Sequence, residues 1–169
     1  MAAQTTPGIS GQEFRAALGA FATGVTVITT RGEEHAYGMT ANAFSSVSLD
    51  PPLVLVCTRT LSDGCELILR NGVFAVNILA AHQEPVSRFF SNKDRPRGRD
   101  SFRDVAHHSA ASGAPILDGA AAFLDCRLHV AHEAGDHHVL VGEVIELGVA
   151  PDAEPLLFHG GRYRLLHGE

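Results

Sequence analysis

Apolar positions along this chain switch between a helical and a strand period, and each switch marks an element. Phe14, Ala17, Leu18 and Phe21 recur at i, i+3, i+4 and i+7 behind Ser10-Gly11-Gln12-Glu13. That spacing predicts an amphipathic helix opened by a Ser-x-x-Glu capping box, with Gly24 as its stop. Residues 25–30 are β-branched throughout and predict a strand, followed by a turn at Arg31-Gly32-Glu33 and a second strand from about His35 into Thr40. A Ser/Thr-rich bend then ends at Pro51-Pro52, and the apolar run 53–58 reads as a buried third strand. Ser62 or Asp63 is placed to cap a short helix reaching Arg70, with Asn71-Gly72 as its stop.

Further along, residues 73–79 predict a strand, and 83–91 a helix carrying Val86, Phe89 and Phe90 on one side. Residues 92–100 form a charged loop containing Pro and Gly. From 120 to 130 the period is two: Leu124, Cys126, Leu128 and Val130 face one way, Asp125, Arg127 and His129 the other. Gly135-Asp136 offers a turn back into 139–149, a long hairpin, and residues 155–166 supply one or two further strands. Six or more strands with only short helices predict a mainly β fold, a closed or nearly closed antiparallel barrel.

Length and charge narrow the class. At 169 residues the chain is expected to be one domain over 11–169 behind a flexible N-terminal tail, 1–10. Apolar residues are 45% of it, yet no uninterrupted run approaches the roughly 18 needed to span a membrane. The first residues carry no basic n-region and no long apolar stretch, so they do not read as a signal peptide. Cys57, Cys65 and Cys126 are odd in number and widely spaced, which predicts free thiols and a cytoplasmic location. A net charge of −6 argues against a nucleic-acid partner. Six of the thirteen basic residues (Arg88, Lys93, Arg95, Arg97, Arg99, Arg103) nevertheless fall within sixteen positions, either a strip for nucleotide phosphates or a solvated loop. Ten histidines invite a metal site, but His129 and His132 sit at opposite-face spacing and no Cys or carboxylate completes a set, so no metal is expected.

The segment Gly38-Met39-Thr40-Ala41-Asn42-Ala43-Phe44-Ser45-Ser46-Val47-Ser48-Leu49-Asp50-Pro51-Pro52 carries the chemistry. Small residues let backbone N–H groups approach a ligand, and hydroxyls can donate to phosphate or carbonyl oxygens. The segment, with the strand ending at Cys57, resembles the flavin-binding stretch of the short-chain NAD(P)H:flavin oxidoreductases, the reductase components of two-component monooxygenases. Phe21-Ala22-Thr23-Gly24-Val25-Thr26, Gly72-Val73-Phe74-Ala75-Val76-Asn77, Gly135-Asp136-His137 before Gly142-Glu143-Val144, and Pro155-Leu156-Leu157-Phe158 with Gly161-Arg162-Tyr163 extend the resemblance in order through most of the chain.

That resemblance implies a flavin reductase-like split barrel, the FMN-binding split barrel, paired as a homodimer. It implies hydride transfer from NADH or NADPH to FAD or FMN, and release of the reduced flavin to a partner monooxygenase. Thr40, Ala41, Asn42 and Ala43 would meet the ring edge, largely through backbone; Ser46, Val47 and Ser48 the ribityl and pyrimidine side. Cys57, Thr58 and Arg59 would sit beside the ring, with Cys57 a packed small residue rather than a nucleophile. Ser62 is both a cap and a phosphate contact in this reading. Phe89, Phe90, Ser91 and Lys93, the chain's single lysine, would cover the phosphate or adenine end. Tyr163 would wall the nicotinamide pocket, or pack in the core. His137 would be catalytic, positioning the nicotinamide and stabilising charge as hydride moves. No G-x-G-x-x-G follows a strand, so the nicotinamide would stack on the flavin instead. A split-barrel oxidase of the pyridoxamine-phosphate type and a non-catalytic flavin-binding protein are the alternative functions.

Overall fold

A computed structural model describes residues 8–32, 35–96 and 98–166, the Arg99 side chain excepted. Most of the expected tail, Glu33 of the expected turn and Arg97 of the basic strip lie outside the described residues. The strands are β1 (Thr23–Gly24), β2 (Thr26–Arg31), β3 (Ala36–Ala41), β4 (Phe44–Leu49), β5 (Pro52–Arg59), β6 (Val73–Ile78), β7 (His107–Ser109), β8 (Pro115–Leu117), β9 (Ala122–Ala134), β10 (His137–Val149), β11 (Leu157–His159) and β12 (Arg162–Arg164). Three short helices interrupt them: α1 (Gly11–Gly19), α2 (Asp63–Asn71) and α3 (Glu84–Ser91). The chain is mainly β, as the pattern predicts.

Seven strands form one antiparallel sheet in the order β3-β2-β6-β9-β10-β5-β4. The sheet curls: β2 and β5, each second from an end, both contribute to one cluster of Ile28, Val54, Val56, Ile68, Phe74, Val76, Cys126 and Leu140. Met39 and Ala41 of one edge strand and Phe44 of the other pack against the same cluster. On the outer face of β2, Val25, Val27, Leu79, Phe90, Phe102, Leu117 and Leu156 make a second cluster under α3. Both faces of β2 are therefore covered, which is why its β-branched run has no alternation. A small sheet, β1-β11-β12, and the pair β7-β8 flank this core.

Local chemistry explains the helix ends. Ser10 caps α1 and Glu13 closes the box, so at least this residue of the expected tail is held. The helix stops at Gly19, with Ala20 rather than Gly24 at its end, because Gly24 pairs with Leu157 in β1. Ser62 caps α2 through the Cys65 N–H, and Gly72 ends it at φ 69, a conformation only glycine takes cheaply.

Two expectations fail for reasons of pairing. Residues 44–49 were expected as a bend; they form the edge strand β4, hydrogen-bonded to β5 with a register shift at Val47. The regular alternation expected over 120–130 is broken by a β-bulge between Leu128 and Val130, so Val130 turns outward and Ala131 takes the core face opposite Leu140.

Asp125 also departs from the solvent-facing role its alternation suggests. It is fully buried, and its carboxylate accepts the Ser112 N–H at 2.8 Å and the Ser112 hydroxyl at 2.5 Å. The loop before β8 is thereby clamped onto β9. The same burial, reinforced by the Asp125 charge, pushes the Cys126 thiol up to about 12 and keeps it protonated. In Asp125→Asn an amide NH2 faces one of these donors, which is expected to cost about 1 kcal/mol, or 2–4 °C in Tm. An unchanged thermal melt would refute the clamp.

Candidate active site

A cleft of about 560 Å³ opens where the end of β3, the end of β5, the start of α2 and the end of α3 converge on the β9–β10 hairpin tip. Antiparallel pairing puts these ends together. β10 pairs with β5 from His137 opposite Arg59, and the Ala43 carbonyl accepts from the Cys57 N–H at 3.0 Å. Of the residues singled out in the sequence, Thr40, Ala41, Asn42, Ala43, Cys57, Thr58, Arg59, Ser62, Phe90, Ser91, Lys93 and His137 line this one cleft.

Several of their polar groups already have partners. The Thr40 hydroxyl donates to the Ser87 carbonyl at 2.7 Å and ties β3 to α3. The Ser62 hydroxyl donates to the Arg59 carbonyl at 2.8 Å while accepting from Cys65, so its first role is the cap. Ser91 donates to the Arg88 carbonyl. His137 Nδ1 lies 2.7 Å from the Asp136 carboxylate, and that hydrogen bond, then the His137 charge, holds the Asp136 carboxyl below its ordinary range. Thr58 differs from the rest: it is 3% exposed, and its hydroxyl has no hydrogen-bond partner. An orphaned buried hydroxyl on a cleft wall is a place for a polar ligand atom. The cleft volume lies within the usual range for small-molecule sites, roughly 300–1,000 Å³.

Other candidates lie elsewhere. Ser46, Val47 and Ser48 sit on β4 outside the cleft, opposite Leu53 and Val54. Phe89 packs edge-on against Phe90 and into the second cluster. Tyr163 packs on Phe158, shares a 2.8 Å hydrogen bond with Ser87 and lies under the Arg88 guanidinium. The basic strip divides: Arg88 pairs with Glu84 and Arg103 with Asp100, while Lys93 and Arg95 reach the cleft.

Tyr37, Met39, Leu61, Asp63 and Arg95 line the cleft without having been assigned to it. Arg95 stacks over Tyr37 at 5.3 Å and donates to the Gly38 and Asn92 carbonyls at 2.6 and 2.8 Å. Its membership of the basic strip was the available signal; nothing local marked Tyr37 or Leu61.

Residues 18–167 match the family model described as flavin reductase like domain. The chain belongs to this family. It is 44% identical over 153 residues to the NADH-dependent FAD reductase of Streptomyces globisporus, covering 90% of this chain and 84% of that one. The NADH:FAD oxidoreductase SgcE6 of Streptomyces globisporus C-1027, solved in complex with NAD and FAD fragments, superposes with a TM-score of 0.87 at 41% identity over 92% of each chain. BorF, the flavin reductase component of a bacterial two-component tryptophan halogenase, superposes with a TM-score of 0.89 at 38% identity, over 95% of this chain and all of that one.

Proposed function

We propose that this flavin reductase family member oxidises NADH, passes the hydride to FAD or FMN held in the cleft, and releases the reduced flavin to a partner monooxygenase. The observation that carries the reading is the convergence of backbone 40–43, the orphaned Thr58 hydroxyl and His137 on one cleft. The donor set fits a flavin. Ala41 and Ala43 put little side-chain bulk at the rim, Thr58 offers a buried polar contact, and Lys93 with Arg95 supplies positive charge for phosphate.

A flavin bound there supplies the hydride acceptor, and the reduced nicotinamide the donor. The protein's own work is geometric. Cys57 and Thr58 line the cleft at the end of β5, and Met39 and Phe90 supply apolar walls that limit water. His137, half-buried at the hairpin tip and oriented by Asp136, stands where it can hold the second ring against the first. Arg95, locked over Tyr37, keeps the loop after α3 closed against β3.

A split barrel paired as a homodimer completes this reading. Helix α1 has no buried residue; Phe14 and Leu18 stay exposed along it, and Phe21 just beyond its end is exposed as well. A nine-residue helix is marginal without tertiary packing, and a second copy would provide it. The three free thiols support a reducing cytoplasm as the working compartment.

The test is an assay crossing NADH and NADPH with FAD and FMN. NADH consumption is expected to rise with added free flavin, and electrons should reach an acceptor held across a dialysis membrane. A protein that purifies yellow and ignores NADH would instead be the oxidase; one that binds flavin without consuming NADH would be a binding module.

A further inference from the structure

Among the described residues, two buried side-chain polar atoms lack a hydrogen-bond partner: Thr58 Oγ1 and His138 Nδ1. They belong to residues directly opposed across the β5–β10 ladder, so both side chains stand on the same face. The row continues into β9, where Glu133 is paired with His138 and its Oε1 lies 3.9 Å from His138 Nε2. Carboxylate, imidazole and hydroxyl thus run across three adjacent strands. Glu133 is at the solvent end, His138 is 8% exposed, and Thr58 alone of the three lines the cleft. Of the two adjacent histidines, the sequence drew attention to His137; the one with an unpartnered ring nitrogen is His138.

Each member limits the next. A neutral imidazole carries one N–H and one lone pair. A proton on Nε2 would face the Glu133 carboxylate 3.9 Å away, and Nδ1 would then be left as an acceptor. The donor available on its side of the sheet is the Thr58 hydroxyl. The two atoms are not hydrogen-bonded to each other as they stand, so the pairing requires a χ1 step of Thr58 or one bridging water. Paired in this way, the threonine would have no proton left to donate and could offer a ligand only lone pairs.

We propose that His138 is a positioning residue that turns the Thr58 hydroxyl into a hydrogen-bond acceptor for the ligand. The site would therefore take a ligand donor at this point: the imide N–H of an isoalloxazine, or a hydroxyl of its ribityl chain. The inference rests on a flavin occupying the cleft and adds the polarity of one contact and the residue that sets it.

The experiment is a double-mutant cycle on FMN binding, read by flavin fluorescence, with Tm measured for each variant. Thr58→Val is expected to raise the FMN Kd about tenfold, and His138→Phe to raise it by a similar factor. The double variant should be no weaker than either single one, because the histidine acts through the threonine. In the ligand-free protein Nδ1 has no partner to lose, so the Tm of His138→Phe measured without flavin should hold or rise while affinity falls. A merely structural histidine would lower both together. His138→Gln, which keeps an accepting oxygen, should recover affinity and serves as the second variant if His138→Phe does not fold. N3-methyl FMN separates the two donors: indifference of wild type to the methyl assigns the contact to the ribityl chain, and a tenfold loss shared with neither variant assigns it to the imide. Additive losses, or a His138→Phe protein with unchanged Kd, would overturn the proposal. No binding by wild type would instead remove the flavin from the cleft, a separate failure visible before any variant is made.

Discussion

In the His137→Ala variant, NADH turnover in the presence of free flavin is expected to fall about a hundredfold while flavin affinity holds within about threefold. His137 lies on the cleft at the first residue of β10, and its ring is fixed by the 2.7 Å contact to Asp136. In the proposed reading a group at the mouth of the cleft would add little to holding a flavin ring that the β3 and β5 ends would grip. It contributes much to aligning a second ring, where a misplacement of about 1 Å can cost two orders of magnitude. Stopped-flow measurement of NADH oxidation, set beside fluorescence titration with flavin, separates the two quantities. Unchanged kcat would reject the role. Asp136→Asn should give a smaller loss in the same direction, since it weakens the charge-assisted contact that orients the ring.

Gly38→Val is the largest stability effect expected. A Cβ at this β3 position would lie 2.6 and 2.8 Å from the Phe90 ring and 3.2 Å from Phe102. Both rings are buried and packed against each other at a 5.1 Å centroid distance, tilted by 49°, so neither can swing away. Overpacking of this kind costs about 3 kcal/mol at the upper end of its range, which for a domain of this size is roughly 6–12 °C in Tm. Valine suits a strand backbone, so the loss is steric. The effect should reach function as well, because Phe90 walls the cleft and α3 is held to β3 by the Thr40–Ser87 contact. Flavin binding is expected to weaken even well below the melting transition. A variant with wild-type Tm would show that α3 tolerates displacement.

Where local chemistry decides, the chain could be read directly. The Ser10 box, the Ser62 cap and the Gly72 stop each depend on residues within one helical turn, and each is found as expected. The Gly135-Asp136 turn closes the long β9–β10 hairpin for the same reason. The apolar runs at 53–58 and 73–79 became β5 and β6 with ends shifted by a residue or so. The resemblance of the segment from Gly38 to Pro52 to flavin-binding stretches led to the family that residues 18–167 match.

Pairing and packing between elements is where reading along the chain ran out. Residues 44–49 carry serines that suit a bend, but β5 offers an open edge and the backbone satisfies itself by pairing there. Asp125 obeys its alternation yet is buried, because a loop from thirteen residues upstream folds over it and supplies two donors. Phe89 and Phe90 are neighbours in one helix, and only the packing of α3 on β3 sends Phe90 to the cleft and Phe89 away from it.

By itself the amino-acid sequence determined the three helices, the strands β2, β3, β5, β6, β9 and β10 in their order, and the family, since caps, turns and hydrophobic periods act over a few residues. The tertiary structure alone decided that β3, β5 and β10 end at one cleft, and that Thr58, His138 and Glu133 fall in one row across three strands. The physical reason is register. A bulge or a one-residue shift reverses which face a side chain occupies, and register is set by the packing of the whole sheet rather than by any segment within it.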